Sequence, residues 1–271
     1  MKTISVTDSK AGKILVVEGE YGLLETVVNG KYGFIGVSSS YGCGMTCKGC
    51  SLPSMKRGLN ATFDDIIGQV NAATEVYPEI KTMVSPYIKF SHIGEPTFNP
   101  YILIAADEFK NMLIRPRNLI NSVLPSQYTR NHNLLKFMGH CIKRPDMYIN
   151  INVYSTDEAQ RREFLGDRVL TLEQIQETMN NDNQKIYLTF LMDKIVDVEK
   201  IASIFNNNKF SIRLINPIGC DKEAFDTKVQ EFADKGFDID IAAFTMPEEE
   251  LIGGCGNMMC QSVLPIMSIK N

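Results

Sequence analysis

Three cysteines, Cys43, Cys47 and Cys50, fall within eight residues in the spacing CxxxCxxC. Thiolates are soft ligands for iron and zinc, and such short spacings let one loop wrap around a single metal centre. Three ligands leave a four-metal cluster one coordination position short, and that position can admit a substrate or cofactor, as in catalytic zinc sites. Structural zinc is the alternative, but it normally has four closed ligands, and no further Cys or His pair lies nearby. The loop predicts a metal centre with an open coordination position.

The whole composition is compatible with a globular metalloprotein. The chain has 271 residues and seven cysteines, an odd number that makes a disulfide framework a poor explanation. The longest apolar runs, such as Ile14–Val17 and Ile186–Leu191, are far shorter than the roughly 18 residues of a membrane helix. Met1–Lys10 is polar and has no apolar export signal. We expect a cytoplasmic protein with no membrane association.

Charge is distributed unevenly along the chain. Lys plus Arg is 28 and Asp plus Glu is 32, and the net charge of −4 argues against an overall basic nucleic-acid binder. Two windows, Val27–Phe63 and Arg115–Arg144, contain no acidic residue. Their basic residues are Lys31, Lys48, Lys56, Arg57, Arg115, Arg117, Arg130, Lys136, Lys143 and Arg144. A basic face for an anionic substrate and scattered solvated charge are equally compatible with this pattern.

Strand and helix patterns alternate along most of the chain. Residues 12–38 alternate in hydrophobicity around Asn29-Gly30, which predicts a β-hairpin leading into a strand. We predict strands over 33–38, 87–91, 118–122, 147–152, 185–191 and 210–215. We predict helices over 62–76, 100–114, 129–139, 157–164, 172–180, 198–206 and 222–235. Thr62-x-x-Asp65 and Thr171-x-x-Gln174 have the character of N-caps and support two of the helix starts.

Six strands separated by helices indicate repeated βα units and a parallel sheet, either doubly wound or curved into a partial barrel. The predicted fold class is α/β. We predict one structural domain with an N-terminal β-hairpin extension (1–32), a core (33–243) and a C-terminal tail (244–271). Ligands of such sheets bind beyond the carboxyl ends of the strands, where the cysteine loop would also lie.

The cysteine loop after the first predicted parallel strand resembles that of the radical S-adenosylmethionine (SAM) superfamily. In that superfamily the three cysteines bind a 4Fe-4S cluster whose unligated iron chelates SAM. Gly94-Glu95-Pro96 is similar to the motif that contacts the SAM amino group after the second strand. The resemblance implies a partial (β/α)6 barrel, with Cys43, Cys47 and Cys50 as cluster ligands and Gly94, Glu95 and Pro96 at SAM.

Further segments resemble the RlmN and Cfr family of radical SAM RNA adenosine methyltransferases. The similar segments are Val37-Ser38-Ser39, Asp65–Val70, Gly94–Asn99, Ile215-Asn216-Pro217 and Gly254–Asn257. This resemblance implies that Ser122 and Asn216 contact SAM, with Asn152 where the family usually has Ser. It also implies that Cys255 carries a methyl group, donated by one SAM molecule, which a second SAM-derived radical activates for transfer to adenine. Thiolates are good nucleophiles, and the glycines beside Cys255 permit close approach.

The chain differs from that family in two respects, of which one affects release of the covalent adduct and the other affects the choice of substrate. The family's resolving cysteine precedes Val-Ser-Ser, where this chain has Gly36. Cys260 is the nearest substitute, and Cys141 or Cys220 would serve only if the fold brings them close. The family's extra N-terminal RNA-binding region has no counterpart here, so the substrate need not be ribosomal or transfer RNA.

Three hypotheses follow from these residues. The first is a methyltransferase of the RlmN and Cfr type that acts on RNA or another substrate and receives electrons from flavodoxin or ferredoxin. The second keeps the cluster and SAM but applies the 5′-deoxyadenosyl radical directly to a small molecule, nucleotide or protein. The third is a non-enzymatic metal-binding module, which Gly94-Glu95-Pro96 and the full set of βα units disfavour.

Overall fold

The computed structural model describes residues 1–8, 12–48, 50, 58–126, 133–179, 186–216 and 221–243. The chain divides into two compact units, and the division falls after Ile120. We call the part up to Ile120 the first unit and the part from Asn121 to Met246 the second unit. No helix among the described residues combines the length and the apolar character needed to cross a bilayer.

The first unit is built on a sheet whose strands pair in chain order. The four N-terminal strands are antiparallel, and the fourth then pairs in parallel with the fifth and the fifth with the sixth. The strands are β1 (Lys2–Asp8), β2 (Gly12–Gly19), β3 (Gly22–Asn29), β4 (Phe34–Val37), β5 (Tyr87–Phe90) and β6 (Arg117–Ser122), and the last two residues of β6 belong to the second unit. The sequence did not predict β1 or the chain reversal between Gly19 and Gly22. Asn29 and Gly30 lie between the antiparallel strands β3 and β4, as predicted.

Two helices of the first unit are α1 (Phe63–Val76) and α2 (Tyr101–Met112). Thr62 and Asp65 form the predicted capping box at the start of α1, with each side chain bonded to the other residue's backbone N–H. The helix packs against β2, β3, β4 and α2. On α2, Phe109 is buried and stacks on Phe90 of β5. One face of the sheet is therefore covered by helices, as βα units require.

The second unit continues the βα alternation with parallel strands. They are β7 (Met147–Tyr154), β8 (Ile186–Leu191), β9 (Phe210–Asn216) and β10 (Ile239–Ala243), of which β10 was not predicted. Its helices are α3 (Asn133–Ile142), α4 (Glu158–Leu165), α5 (Leu172–Met179), α6 (Val198–Ile204) and α7 (Lys222–Asp234). The predicted α/β fold class is confirmed. The first residues of the helix predicted over 129–139 lie outside the described part of the chain.

Along β7, β8 and β9, buried apolar residues alternate with polar and aromatic ones, so one face of these strands is apolar. The other face carries mostly polar and aromatic side chains, among them Asn150 and Asn152 of β7 and Thr189 of β8. Arg161 on α4 is completely buried, where it pairs with Glu158 and donates to the carbonyl oxygens of Val153 and Leu170. These bonds fasten α4 to the end of β7 and to the segment before α5.

Candidate functional site

The three cysteines of the CxxxCxxC loop follow β4 in the first unit, at the carboxyl end of that strand. All three are half-buried. Cys43 and Cys50 pack against the buried side chains of Val16 and Ile93, and the Cys50 N–H donates to the carbonyl oxygen of Cys47 at 3.2 Å. The loop is thus folded back on an apolar base made by β2 and by the segment after β5.

The thiols lie close enough to one another to interact electrostatically. Burial raises the pKa of Cys47 to about 12, and the charges of Cys43, Cys50 and Glu95 act in the same direction. The three thiols and the Glu95 carboxylate lie together where water is partly excluded, and such a group of potential anions favours the binding of a cation. A bound metal lowers the raised pKa of its thiol ligands, which are then deprotonated. The donor set therefore fits an iron–sulfur cluster.

No three His, Cys, Asp or Glu side chains in the described part of the chain converge on a point that would hold a single metal ion. A structural zinc ion takes four closed protein ligands, and the loop supplies three thiolates.

One carboxylate ties the cysteine loop to its surroundings. The Tyr41 hydroxyl, two residues before Cys43, donates to Asp65 Oδ2 at 2.6 Å. Asp65 also accepts the backbone N–H of Thr62 at 2.9 Å and that of Glu20, in the β2–β3 turn, at 3.0 Å. Burial alone would raise the pKa of Asp65, but these hydrogen bonds outweigh it and lower the pKa. The carboxylate thus joins the turn, the start of α1 and the cysteine loop.

The Gly94-Glu95-Pro96 segment forms a tight turn after β5. Gly94 has a φ of +103°, and a Cβ there would overlap the hydroxyls of Ser39 and Ser40, so this position requires glycine. Glu95 is buried, and its Oε1 accepts the N–H and the hydroxyl of Thr97 at 3.2 and 2.7 Å. These bonds fix the carboxylate at the start of a 3₁₀ turn, and its charge acts on Cys47.

The segments that carry the family resemblance in the first unit are bonded to one another. Gln69 of α1 accepts the N–H of Ser38 and donates to its carbonyl oxygen, at 2.8 and 3.0 Å. Buried Asn99 donates to the carbonyl oxygens of Ser39 and Ala61, both at 2.8 Å. Because each contact satisfies a buried backbone group, these side chains hold the strand end, the helix and the glutamate turn in register.

The position of the expected resolving cysteine is closed to any side chain. Gly36 in β4 lies against the imidazole of His92, and a Cβ on Gly36 would overlap the His92 Nε2 atom. His92 Nδ1 lies 3.5 Å from Glu25 Oε1, and both side chains are almost completely buried. Imidazole therefore occupies the space beside β4 that a residue-36 thiol would need.

The other residues assigned to SAM by resemblance lie in the second unit, near the carboxyl ends of its strands. Ser122 ends β6, is buried, and accepts the N–H of Leu124 at 2.9 Å. Asn152 lies near the end of β7, and Asn216 is the last residue of β9. Asn216 Oδ1 is buried and has no hydrogen-bond partner among the residues that the structure describes. An orphaned acceptor at a strand end fits a ligand that donates a hydrogen bond.

Sequence reasoning missed a set of polar residues beside these. Asn121 on β6, Asn150 on β7 and Thr189 on β8 form hydrogen bonds with one another and with Asn152. Asparagine in a strand carries no spacing signal, and the partners come together only when the three strands pair.

Other predicted residues have separate outcomes. Cys255, Cys260 and Cys220 lie outside the described residues. Cys141 is fully buried on α3, and burial raises the pKa of its thiol to about 12, so it is a poor nucleophile. Within the acid-free windows, Arg117 donates to the Tyr87 hydroxyl at 3.0 Å, and Arg144 is paired with Asp146 at 2.8 Å.

No family model and no curated protein matches the sequence. Among solved structures, a radical SAM methyltransferase from Sphaerobacter thermophilus matches with a TM-score of 0.69 and 14% identity, over 94% of this chain and 80% of that one. Streptococcus suis SuiB bound to S-adenosylmethionine matches with a TM-score of 0.54 and 14% identity, over 79% of this chain and 52% of that one. SuiB bound to the precursor peptide SuiA matches with a TM-score of 0.54 and 15% identity, over 77% of this chain and 48% of that one.

The match spans about half the length of SuiB and most of the length of the methyltransferase. Identities this low establish a common fold and not a common reaction. Since the similarity extends over nearly the whole chain, the chain shares the α/β fold of that methyltransferase.

Proposed function

We propose that this chain is a radical SAM enzyme in which Cys43, Cys47 and Cys50 hold a 4Fe-4S cluster. The observation that carries the proposal is the grouping of the three thiols with the Glu95 carboxylate after two neighbouring parallel strands. When bound, the cluster supplies the electron that cleaves SAM reductively. The fold shared with a radical SAM methyltransferase supports the same proposal.

In this proposal the chain's residues bind and orient SAM. Glu95 accepts a hydrogen bond from the SAM ammonium group, with Gly94 and Pro96 shaping the turn that presents it. The family resemblance assigns Ser122, Asn152 and Asn216 to SAM contacts as well. The apolar base under the cysteine loop, formed by Val16, Leu23 and Ile93, limits water around the cluster.

Glu95→Gln tests the assignment of SAM binding. Glutamine keeps an oxygen for the two Thr97 bonds and removes only the charge, so a charge-assisted bond to the ammonium group becomes a neutral one. We expect SAM affinity to fall about tenfold, the equivalent of about 1.4 kcal/mol, with iron content unchanged. Equilibrium binding of SAM to the cluster-loaded protein measures it.

Glu79→Gln serves as the matched control, because Glu79 is exposed on the 3₁₀ turn after α1. Its SAM affinity should equal that of the unsubstituted protein. Equal affinity of Glu95→Gln and the control would remove Glu95 from the SAM site.

We further propose methyl transfer of the RlmN and Cfr type, with Cys255 as methyl carrier and RNA or another substrate with an electron-poor sp² carbon as acceptor. The resemblance of Gly254–Asn257 and the fold shared with a methyltransferase support this finer proposal. Cys260 is the proposed resolving thiol. Flavodoxin or ferredoxin is the proposed electron donor, in a cytoplasmic setting.

The test is anaerobic reconstitution with SAM followed by mass analysis of the peptide that contains Cys255. We expect this peptide to gain one methyl group, because a thiolate attacks the methyl carbon of the sulfonium donor and S-adenosylhomocysteine leaves as the neutral thioether. Cys255→Ala should abolish the gain. An unmethylated peptide from protein that cleaves SAM would instead favour direct use of the 5′-deoxyadenosyl radical.

That second candidate function has its own supporting observation. Gly36 is packed against His92, so no thiol can stand at the position from which the family releases its covalent adduct. Direct radical chemistry on a small molecule, nucleotide or protein needs no such thiol. Detection of 5′-deoxyadenosine without a methylated Cys255 would distinguish it from the first candidate.

A further inference from the structure

A row of polar side chains crosses three neighbouring strands of the second unit. Asn150 of β7 is its centre. The Asn150 Nδ2 group donates to Asn121 Oδ1 of β6 at 2.9 Å and to Asn152 Oδ1 at 3.1 Å. The Thr189 hydroxyl of β8 donates to Asn150 Oδ1 at 2.6 Å. Each bond runs from an N–H or O–H donor to a side-chain oxygen. Donation therefore proceeds in one order along the row, from Thr189 to Asn150 and from Asn150 to Asn121 and Asn152.

The direction begins at the hydroxyl. In the structure the Thr189 hydroxyl donates, and the Asn150 oxygen that accepts this bond faces β8. The two N–H bonds of Asn150 then meet the oxygens of Asn121 and Asn152. Both outer amides therefore have their oxygen turned inward, and their Nδ2 groups, each with two N–H donors, are turned away from the centre of the row.

Burial separates the centre of the row from its ends. Asn150 is 2% exposed and Thr189 is 1% exposed, whereas Asn121 and Asn152 are only half-buried. A ligand can approach only the half-buried ends. The Nδ2 groups are turned toward such a ligand, while each outer amide oxygen already accepts one bond inside the row.

The backbone is strained just beyond each end of the row. Leu124, three residues after Asn121, has a φ of +51°, and Tyr154, two residues after Asn152, has a φ of +67°. The pairing of β7 with β8 also shifts register between Asn152 and Tyr154. Left-handed backbone in bulky residues is costly, and it is typically retained with bulges where a site needs a side chain aimed.

We propose that Asn121 and Asn152 present amide donors to hydrogen-bond acceptor oxygens of SAM, and that Asn150 and Thr189 are positioning residues that fix this polarity. The inference rests on the proposed function. It adds that the protein donates, and SAM accepts, the hydrogen bonds at these two residues. A serine at position 152, which is usual in the RlmN and Cfr family, would donate or accept a hydrogen bond. The oriented amide turns its N–H donors to the ligand, so the site favours a carboxylate or ether oxygen over a donor.

Asn152→Asp tests the polarity with SAM as the probe. One aspartate oxygen still accepts from Asn150, while the second turns a negatively charged acceptor to the ligand. We expect SAM to bind at least tenfold more weakly to the cluster-loaded variant, and Asn152→Ser, which retains a donor, to lose much less. Unchanged or tighter binding by Asn152→Asp would overturn the proposal, because a donor on the ligand would gain from the carboxylate.

Asn208→Asp is the matched control. Asn208 is exposed in the turn before β9 of the same unit, so its replacement by aspartate adds the same charge at a position outside the row. Its SAM affinity should be unchanged. A cluster-loaded unsubstituted protein that fails to bind SAM would contradict the proposed function, whereas normal SAM binding that Asn152→Asp leaves intact contradicts only the present inference.

Thr189→Val tests positioning. Valine has the shape of threonine but gives Asn150 no proton, so the Asn150 amide is no longer held in one orientation. We expect SAM affinity to fall about threefold to tenfold, and Thr189→Ser to restore it. In an Asn152→Ala, Asn121→Ala background, Thr189→Val should have no further effect, because no outer amide is left to orient. An equal loss in that background would show a merely structural role.

Discussion

Iron should be absent from the protein when Cys43, Cys47 and Cys50 are all replaced by alanine. A cluster held by three thiolates loses its chelation when these are removed. We expect at least a tenfold fall in iron per chain and loss of visible absorbance after anaerobic reconstitution.

Cys141→Ala provides the comparison, since Cys141 is buried on α3 in the other unit. It should reconstitute to the same iron content as the unsubstituted protein. A triple variant that retained a full cluster would refute the assignment of the loop, whereas loss of iron in both variants would point to misfolding.

Gly36→Cys, which restores the cysteine expected by resemblance, should destabilise the protein by about 1–3 kcal/mol, as overpacking of a dense core does. The new Cβ overlaps His92 Nε2, and the imidazole is confined beside Glu25. Gly36→Ala should cost a similar amount, because the overlap occurs at Cβ and not at sulfur. Urea unfolding of the proteins measures these changes.

The coupling between residues 36 and 92 makes this test specific. With His92→Ala in place, the added cost of Gly36→Cys should largely disappear, since the overlapping atom is gone. Gly139→Ala on α3 is a control in which the new Cβ meets nothing within 4 Å, and it should stabilise the helix by about 0.5–1 kcal/mol. Additive costs at 36 and 92 would contradict the packing argument.

Most helices and the central strands could be predicted because their signals are local. The capping box of Thr62 and Asp65 marks the start of α1, and short apolar runs bounded by polar turns mark β5 to β9. The strand β1 was missed because it is an edge strand with mostly exposed side chains, and Ile4 and Val6 are its only large apolar residues. Its identity as a strand comes from pairing with β2.

The candidate site divides in the same way. The cysteine loop and Glu95 could be predicted because their chemistry depends on spacing within short segments. The Asn121, Asn150 and Thr189 contacts could not, since each partner lies on a different strand and only the parallel register joins them. The incompatibility of Gly36 with a side chain was likewise invisible, because it depends on an imidazole 56 residues away in the sequence.

The Asp65 carboxylate has a consequence for local dynamics. Because it accepts from Glu20, Tyr41 and Thr62 together, we expect opening of the β2–β3 turn to be coupled to opening of the cysteine loop. The Glu20 amide hydrogen exchanges with solvent only when that bond opens. The exchange rate of the Glu20 amide hydrogen therefore measures how stable the closed cysteine loop is, at a position outside that loop. A ligand that stabilises the closed loop should slow this exchange.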